Sequence, residues 1–384
     1  MRVLVTGADG FVGRHLTTAL AQASHRVLGY DLPSDPVLLE KYCTEAEFVF
    51  HLAGVNRDSE PEKIRRGNVE AMRSLVEQLE KAGNTCPILF ASSVQASLEG
   101  RFDTAYGQSK LACEGMLREY AARTGATVFI CRFPSLFGRG GRPHYNSVVA
   151  TFCYRMTRDM PITVYDPFEK LALLYVEDLV SWMLHILETA SEGRLPLDGD
   201  EAVGSMPAPH MLTVGELAHL LEGYRDGAGT PVIPAGSEGS FEQKLYSTYV
   251  SYLPVEKMHY PLTVSRDERG SFTEWLRSDP CGQISVNRTR PGAVKGEHWH
   301  RRKHEIFTVV AGKGLIRMRK QGDRDILEFF VTGESPEVIR IPPGYIHSMA
   351  NIADTEDLIT VIWASECYDP ADPDTYFEEV DSHD

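Results

Sequence analysis

The chain has 384 residues, 42% hydrophobic and 24% charged, and its 39 basic against 54 acidic side chains leave a formal charge of -15. That length exceeds what one hydrophobic core serves, so two domains are expected. The acidic balance excludes a general nucleic-acid binder, whose footprint is a basic face, but not an anionic small ligand held by local Arg, Lys and helix N-termini. No apolar run approaches ~20 residues, so no membrane span is expected. The opening run Met1-Arg-Val-Leu-Val lacks the layout of a signal peptide. Seven cysteines, at 43, 86, 113, 131, 153, 281 and 367, form no CxxC pair; reduced, buried thiols in a cytoplasmic protein are expected.

In chain order, strand candidates at Arg2–Thr6, Arg26–Tyr30, 48–52, 87–92 and 127–132 alternate with amphipathic helical stretches at 13–23, 69–82 and 109–123. Such alternation builds a Rossmann-type, doubly wound parallel sheet. Residues 176–188 and 213–223 read as further helices around a Gly/Pro-rich segment at 199–209, and 226–240 reads as a loop. From about residue 265 the texture is all β. Short alternating runs at 283–289, 306–310, 314–319, 338–341 and 358–364 are punctuated by turn residues, the pattern of a small barrel or jelly roll. The boundary falls within 240–262, giving a nucleotide-binding domain over 1–250 and a β domain over 251–384. The acidic, Pro-containing tail from 368 to 384 is expected to fray.

Gly7, Gly10 and Gly13 fall between the first strand and the first helix, with Phe11 and Val12 opening that helix. Glycines suit this place because a dinucleotide pyrophosphate must approach the backbone closely where free N–H groups and the helix dipole favour negative charge. Asp31 closes the second strand. A carboxylate there accepts hydrogen bonds from an adenosine ribose 2′-OH and repels a 2′-phosphate, which favours NAD over NADP; a solvated strand-end carboxylate is the plainer reading. Tyr106-Gly-Gln-Ser-Lys110 places a phenol and an ammonium on one helix face, where the lysine eases deprotonation of the phenol. With Ser92-Ser93 at a predicted strand end upstream, these groups supply a hydroxyl to orient a carbonyl, a proton donor and a supporting cation. Arg139, Arg142, His144, Tyr145 and Asn146 follow in a Gly-rich loop. Two arginines and an aromatic suit a diphosphate and a stacked base; an exposed basic loop is the alternative.

In the β half, His298-Trp-His300-Arg-Arg-Lys-His-Glu305 has the form His-x-His-x4-Glu. Strand alternation puts His298 and His300 on one face, Glu305 returns from the next segment, and His347 follows in Pro342-Pro-Gly-Tyr-Ile-His347. Three histidines and a carboxylate suit zinc, iron, manganese or nickel, with zinc the first expectation. His304 reads as a surface residue. Satisfied barrel histidines are the alternative to a metal set.

On the glycine motif and the Ser93, Tyr106 and Lys110 set, residues 1–225 resemble the extended short-chain dehydrogenase/reductase family. The resemblance implies that His51-Leu52-Ala53-Gly54 lies beneath a nicotinamide cofactor, and it matches Val176-Glu-Asp178 to a family Val-x-Asp pattern. The family's Arg-x-x-Asn-x-x-Gly reads Arg132-Phe-Pro-Ser135-Leu-Phe-Gly138 here, so Ser135 stands where a substrate-holding Asn is common. Residues 265–365 look like the paired cupin motifs, and Asp267-Glu-Arg-Gly-Ser-Phe272 is similar to the opening of sugar-nucleotide epimerases built on that barrel.

End to end, the chain resembles the CapF-type bifunctional enzymes of bacterial capsular polysaccharide synthesis, through Arg142-Pro-His-Tyr-Asn-Ser147, Gly282-Gln-Ile-Ser285, the run from Arg290 to His300, and the late Ile362-Trp-Ala. That resemblance implies C3 epimerisation of a UDP-4-keto-6-deoxy-N-acetylhexosamine in the cupin, followed by NAD(P)H-dependent reduction at C4 to a UDP-6-deoxy-talosamine-type product. It points to NADPH where Asp31 points to NADH. Lys303, Glu297 and Tyr345 are candidate proton carriers in the cupin. A homodimer or homotetramer follows from fold analogy. Two other readings stay open: a reductase whose cupin only binds sugar or dimerises, and a sensor of NAD(P) and a sugar nucleotide that turns nothing over.

Overall fold

β1 (Arg2–Thr6), β2 (Arg26–Tyr30), β3 (Phe48–His51), β4 (Ile88–Ser93) and β5 (Val128–Phe133) pair in parallel in the order β2-β1-β3-β4-β5. Their runs are apolar on successive residues, as a sheet covered on both faces requires. Val3, Leu4, Val5, Phe48, Val49 and Phe50 are fully buried. Helices α1 (Phe11–Gln22), α2 (Pro36–Glu45), α3 (Pro61–Ala82), α4 (Ala105–Thr124), α5 (Val148–Met156) and α6 (Val176–Ser191) follow in chain order. α1 and α6 cover one face through Leu16, Leu20, Leu179 and Met183; α2, α3 and α4 cover the other through Leu39, Met72, Leu75, Leu79, Leu117 and Tyr120. β1 thus lies between β2 and β3, and the crevice beyond their C-terminal ends is where doubly wound sheets bind ligands.

Two helix starts bear on the site. α4 is capped by Thr104, whose Oγ1 accepts from Gly107 N at 3.0 Å. The helix therefore begins at 105, ahead of the expected 109, and takes Tyr106 into its first turn. α3 begins on Pro61 and ends at Gly83 in the left-handed region (φ 63°). β6 (Ser135–Phe137), β7 (Lys170–Tyr175) and β8 (His210–Thr213) form a separate three-stranded sheet, followed by α7 (Val214–Asp226) and α8 (Phe241–Val250).

The computed structural model describes residues 1–31, 34–96, 104–192, 206–234, 236–278 and 281–381. Part of the Gly/Pro-rich segment expected at 199–209 lies outside them. The chain divides into two compact units, Met1–Leu221 with Lys244–Leu253, and Glu222–Gln243 with Pro254–Asp384.

The second unit is cupin-like. β9 (Val264–Asp267), β10 (Gly270–Ser278), β11 (Gly282–Thr289), β12 (Val294–Trp299), β13 (Glu305–Ala311), β14 (Lys313–Lys320), β15 (Ile326–Thr332), β16 (Val338–Ile341), β17 (Tyr345–Asn351), β18 (Leu358–Ala364) and β19 (Tyr376–Phe377) make two sheets. Their orders are β16-β13-β18-β11-β10-β9 and β15-β14-β17-β12-β19. Phe307, Val309, Ile316, Met318, Ile341, Met349 and Leu358 form an apolar core shared by both sheets. Residues 222–243 were expected with the first domain. They join the second unit because Arg277 N donates to Pro231 O and Ile233 N donates to Arg277 O, both at 2.7 Å, tying the segment to β10.

The tail does not fray within the described residues. β19 pairs with His298 and Trp299 of β12, and Val380 is fully buried. Arg319, itself 5% exposed, donates to Val380 O at 2.8 Å and to Glu378 Oε1 at 3.0 Å. The acidity that suggested a loose end is what this buried arginine takes up. The thiols also depart from expectation: none forms a disulfide among the described residues, but Cys281 is exposed and Cys86 and Cys367 are half-buried.

Candidate active site

In the first unit, the turn after β1 is held against the end of β3. Gly7 adopts φ 77°, and a Cβ there would come 2.7 Å from Ala53 N; one at Gly13 would overlap Gly7 O. α1 then starts at Gly10 with no side-chain cap and no acidic residue in its first turn. The N–H groups around Phe11, Val12 and Gly13 are thus left to an anion. Asp31, at the end of β2, accepts from Asp9 N at 2.8 Å. Its carboxyl is raised above the ordinary carboxylate range, chiefly by burial.

His51, Leu52, Ala53 and Gly54 carry the chain past the end of β3. His51 is buried, 2.7 Å from Thr6 Oγ1 through Nδ1, and burial followed by the Lys110 charge lowers its pKa to about 3. Gly54 is small because a Cβ there would come 3.1 Å from Asn68 Oδ1 and 3.2 Å from Lys110 Nζ.

Tyr106 and Lys110 stand one turn apart on α4, with the ammonium 5.7 Å from the phenol ring centroid and 2.8 Å from Ala91 O, to which it donates. Burial acts on both. It raises the Tyr106 phenol to about 12, with Tyr145 adding to the effect, and lowers Lys110 to about 8. The two strand-end serines differ. Ser92 Oγ donates to the buried Glu114 at 2.6 Å, while Ser93 Oγ accepts only a 3.2 Å bond from Gln95 N. Of the two, only Ser92 gives its hydroxyl hydrogen to that carboxylate.

Ser135 is exposed at the start of β6. In the loop that follows, Arg139 O accepts from His15 Nε2 (2.9 Å) and its guanidinium lies 3.4 Å from Glu177. The exposed Arg142 guanidinium lies 5.0 Å from the Tyr145 ring centroid. His144 has φ 56° and packs edge-on to Tyr154; Asn146 is exposed. Asp178 is paired with Lys244 at 2.7 Å.

Three contributors escaped the sequence reading. Arg57 donates to Tyr145 O at 2.9 Å. Asn68 is buried beneath Lys110, accepting from Val55 N (2.6 Å) and donating to Ser109 Oγ (2.8 Å). Glu114 accepts from Ser92 and Arg132. Asn68 and Glu114 each occupy a buried position of an otherwise largely apolar helical stripe, between Ile64 and Met72 in one case and between Lys110 and Leu117 in the other. A polar residue in such a stripe was the available signal.

In the second unit, His298, His300, Glu305 and His347 converge, with one ligand atom of each within 4.8 Å of the others. β12 and β17 place His298 directly across from His347, and β13 brings Glu305 from the other sheet. Glu305 Oε2 lies 3.3 Å from His300 Nε2 and 3.2 Å from His347 Nε2. These three buried atoms have no properly aligned hydrogen-bond partner.

Their other ring nitrogens are spoken for. His300 Nδ1 donates to Asp374 O (2.6 Å) and His347 Nδ1 to Tyr345 O (3.1 Å). A carbonyl only accepts, so Nδ1 carries a hydrogen in each ring and Nε2 is the atom turned toward Glu305. Burial and the two neighbouring imidazoles lower His298 to about 4. Glu305 is held below the usual carboxylate range: burial opposes its charge, but the facing histidines outweigh that. A tetrahedral ion with bonds of about 2.1 Å sets its ligand atoms roughly 3.4 Å apart, close to the 3.3 and 3.2 Å that separate Glu305 from His300 and His347, so the set fits a divalent cation.

Of the candidate proton carriers, Glu297 sits at a β-bulge with φ 57° and accepts from Val380 N (2.6 Å), and Lys303 Nζ donates to Pro373 O (2.8 Å). Both are engaged by the tail. Tyr345 packs against the apolar core, and His304 is exposed.

An uncapped helix closing on a glycine turn, with a carboxylate at the neighbouring strand end, marks an NAD-dependent oxidoreductase. The chain belongs to the NAD dependent epimerase/dehydratase family, which matches residues 3–197, and residues 265–376 match the polysaccharide biosynthesis C-terminal domain. It is 35% identical over 378 residues to the UDP-2-acetamido-2,6-beta-L-arabino-hexul-4-ose reductase of Pseudomonas aeruginosa, covering 98% of each chain. The crystal structure of the capsular polysaccharide assembling protein CapF from Staphylococcus aureus superposes with a TM-score of 0.86 at 40% identity, over 99% of this chain and 100% of that one. A UDP-glucose 4-epimerase from Thermus thermophilus, solved with NAD, shares the fold at 20% identity and a TM-score of 0.52, over 66% of this chain and 99% of its own. Among the described residues, no helix is long and apolar enough to cross a membrane.

Proposed function

We propose that the chain is a bifunctional sugar-nucleotide enzyme. In this reading the cupin-like unit epimerises C3 of a UDP-4-keto-6-deoxy-N-acetylhexosamine. The first unit reduces the C4 ketone with NADH, giving a UDP-6-deoxy-talosamine-type sugar for a bacterial surface polysaccharide. One observation carries the reading: the match to a reductase named for a UDP-linked acetamido hexul-4-ose spans 98% of both chains. Both units therefore have counterparts in that relative, and the buried histidine–carboxylate set gives the second one a chemistry of its own.

NADH supplies the hydride when bound, and a divalent cation held by His298, His300, Glu305 and His347 supplies Lewis acidity toward the sugar ketone. The chain's own groups do the rest. Gly7, Gly10, Gly13 and the N–H groups of α1 receive the pyrophosphate, and Asp31 takes the adenosine ribose hydroxyls and disfavours a 2′-phosphate. The Tyr106 phenol, neutral far above physiological pH, donates its proton to O4. Ser93 hydrogen-bonds the same oxygen, and Lys110 supports the phenol and the cofactor ribose. Arg139, Arg142, His144, Tyr145 and Asn146 form the loop offered to the UDP group, with Ser135 near the sugar.

The test is product NMR from a UDP-4-keto-6-deoxy-N-acetylhexosamine with NADH in deuterated water. Deuterium at C3 and a reduced C4 are expected. Chelation should stop the C3 exchange and leave NADH binding intact. Exchange that persists in metal-free protein sinks the cupin assignment, and the absence of NADH oxidation with that ketosugar sinks the reductase.

A further inference from the structure

Asp374 lies in the tail, 74 residues from His300 in sequence. It is 3% exposed and adopts φ 45°. Burying a carboxylate in a left-handed conformation is unfavourable unless its bonds compensate, and Asp374 makes four to one short stretch of chain. Its carboxylate accepts from Arg301 N at 3.2 Å, Arg302 N at 2.9 Å and Lys303 N at 3.0 Å. Those three residues are the turn between His300 and Glu305. Its carbonyl takes the 2.6 Å bond from His300 Nδ1. One residue thus fixes the ring tautomer of His300 and the turn that delivers Glu305.

The neighbours of Asp374 hold it there. Lys303 Nζ binds Pro373 O, and Arg302 pairs with Asp372 at 2.9 Å. Tyr376 stacks on Trp299 with ring centroids 4.6 Å apart, beside His298 and His300. His300 Nε2 faces Glu305 at 3.3 Å while the Nδ1–H stays on the Asp374 carbonyl.

We propose that Asp374 is a positioning residue for the divalent-cation site, so that a segment beyond β18 completes a site whose ligands all precede residue 348. This rests on the reading of His298, His300, Glu305 and His347 as metal ligands. A ring held with its hydrogen on Nδ1 turns Nε2 toward the cation site, the carboxylate keeps the 301–303 turn and that carbonyl in place, and outer partners of this kind alter metal affinity by about 10–100-fold.

The experiment uses the full chain, titrated with Co(II) and Zn(II) against a competing chelator. Asp374→Gly keeps the positive φ and the backbone carbonyl but removes the carboxylate that holds the N–H groups of residues 301–303; Asp374→Asn keeps the shape and one acceptor oxygen. Asp374→Gly should bind both metals about 10–100-fold more weakly and shift the visible absorption of the Co(II) protein. Asp374→Asn should fall between it and wild type, and NADH affinity should not move. A purely structural role would lower the melting temperature of metal-free protein without changing the Co(II) spectrum. Wild-type affinity and spectrum in Asp374→Gly overturn the proposal; if that variant fails to fold, the same result in Asp374→Asn does so. A wild-type chain that binds Co(II) no more tightly than His300→Ala overturns the metal reading along with it.

Discussion

At Tyr106 and Lys110, one cause moves two groups in opposite directions. Burial disfavours charge, so the phenol rises to about 12 while the ammonium falls to about 8. Tyr106 stays protonated and available as an acid across the working range. Lys110 is the group that changes state nearest to it: a lowered pKa means its charge is lost sooner as pH rises. Ketone reduction should therefore fall with an apparent pKa near 8 on the alkaline side, read from a kcat/KM profile; a rate flat to pH 10 would remove Lys110 from that role. Tyr106→Phe should cost about 10²–10⁴-fold in reduction with NADH affinity retained. At Asp31, Asp31→Asn removes the charge that repels a 2′-phosphate. The ratio of kcat/KM for NADH over NADPH should drop, and an unchanged ratio would show that the carboxylate does not face the ribose. Tyr106, Lys110, Asp31 and Gly7 were all legible in the sequence because each is defined by neighbours a few residues away. The engagement of Ser92 by Glu114, more than twenty positions on, was not legible there.

Among the elements, α4 carries the phenol and lysine, and Glu114 fastens it to two strands. Its carboxylate, with no exposed side-chain surface, accepts from Ser92 on β4 and takes both Nε and Nη2 of Arg132 on β5 at 2.8 Å; Arg118 adds a contact at 3.2 Å. Arg132→Met strands that carboxylate. It should cost about 3 kcal/mol, the low end for a broken buried pair, because Ser92 and Arg118 still face it. The measurement is a lower denaturant midpoint at unchanged slope, and a midpoint equal to wild type would count against the clamp. Strands rich in β-branched residues emerged from sequence at nearly their observed limits, such as 283–289 against Gly282–Thr289. β12 and β17 were legible only as strands carrying the histidines, without their limits, since histidines, glycine and serine interrupt their apolar alternation. α2 and α8 were missed because a short helix is stabilised by packing more than by its own propensities.

For the whole molecule, the proposed function gives the two units different ligands. A cation that binds only the folded cupin-like unit stabilises it by about 4 kcal/mol when present at a thousandfold over its Kd. Calorimetry should show one thermal transition falling on chelation while an NADH-responsive transition stays in place; a single transition that moves as one would contradict that independence. Residue order was enough to establish the parallel nucleotide-binding half, the β half, the phenol–lysine pair and the four candidate metal ligands. Each of these is written in short-range pattern: a period of two or of 3.6, a glycine spacing, a histidine doublet. The place of 222–243 in the second unit, the ordered tail, and the contacts of Asn68, Glu114 and Asp374 emerged only once the chain was folded. They join residues tens of positions apart, and the burial that makes a lone Asn or Asp valuable arises from packing, which no local pattern encodes.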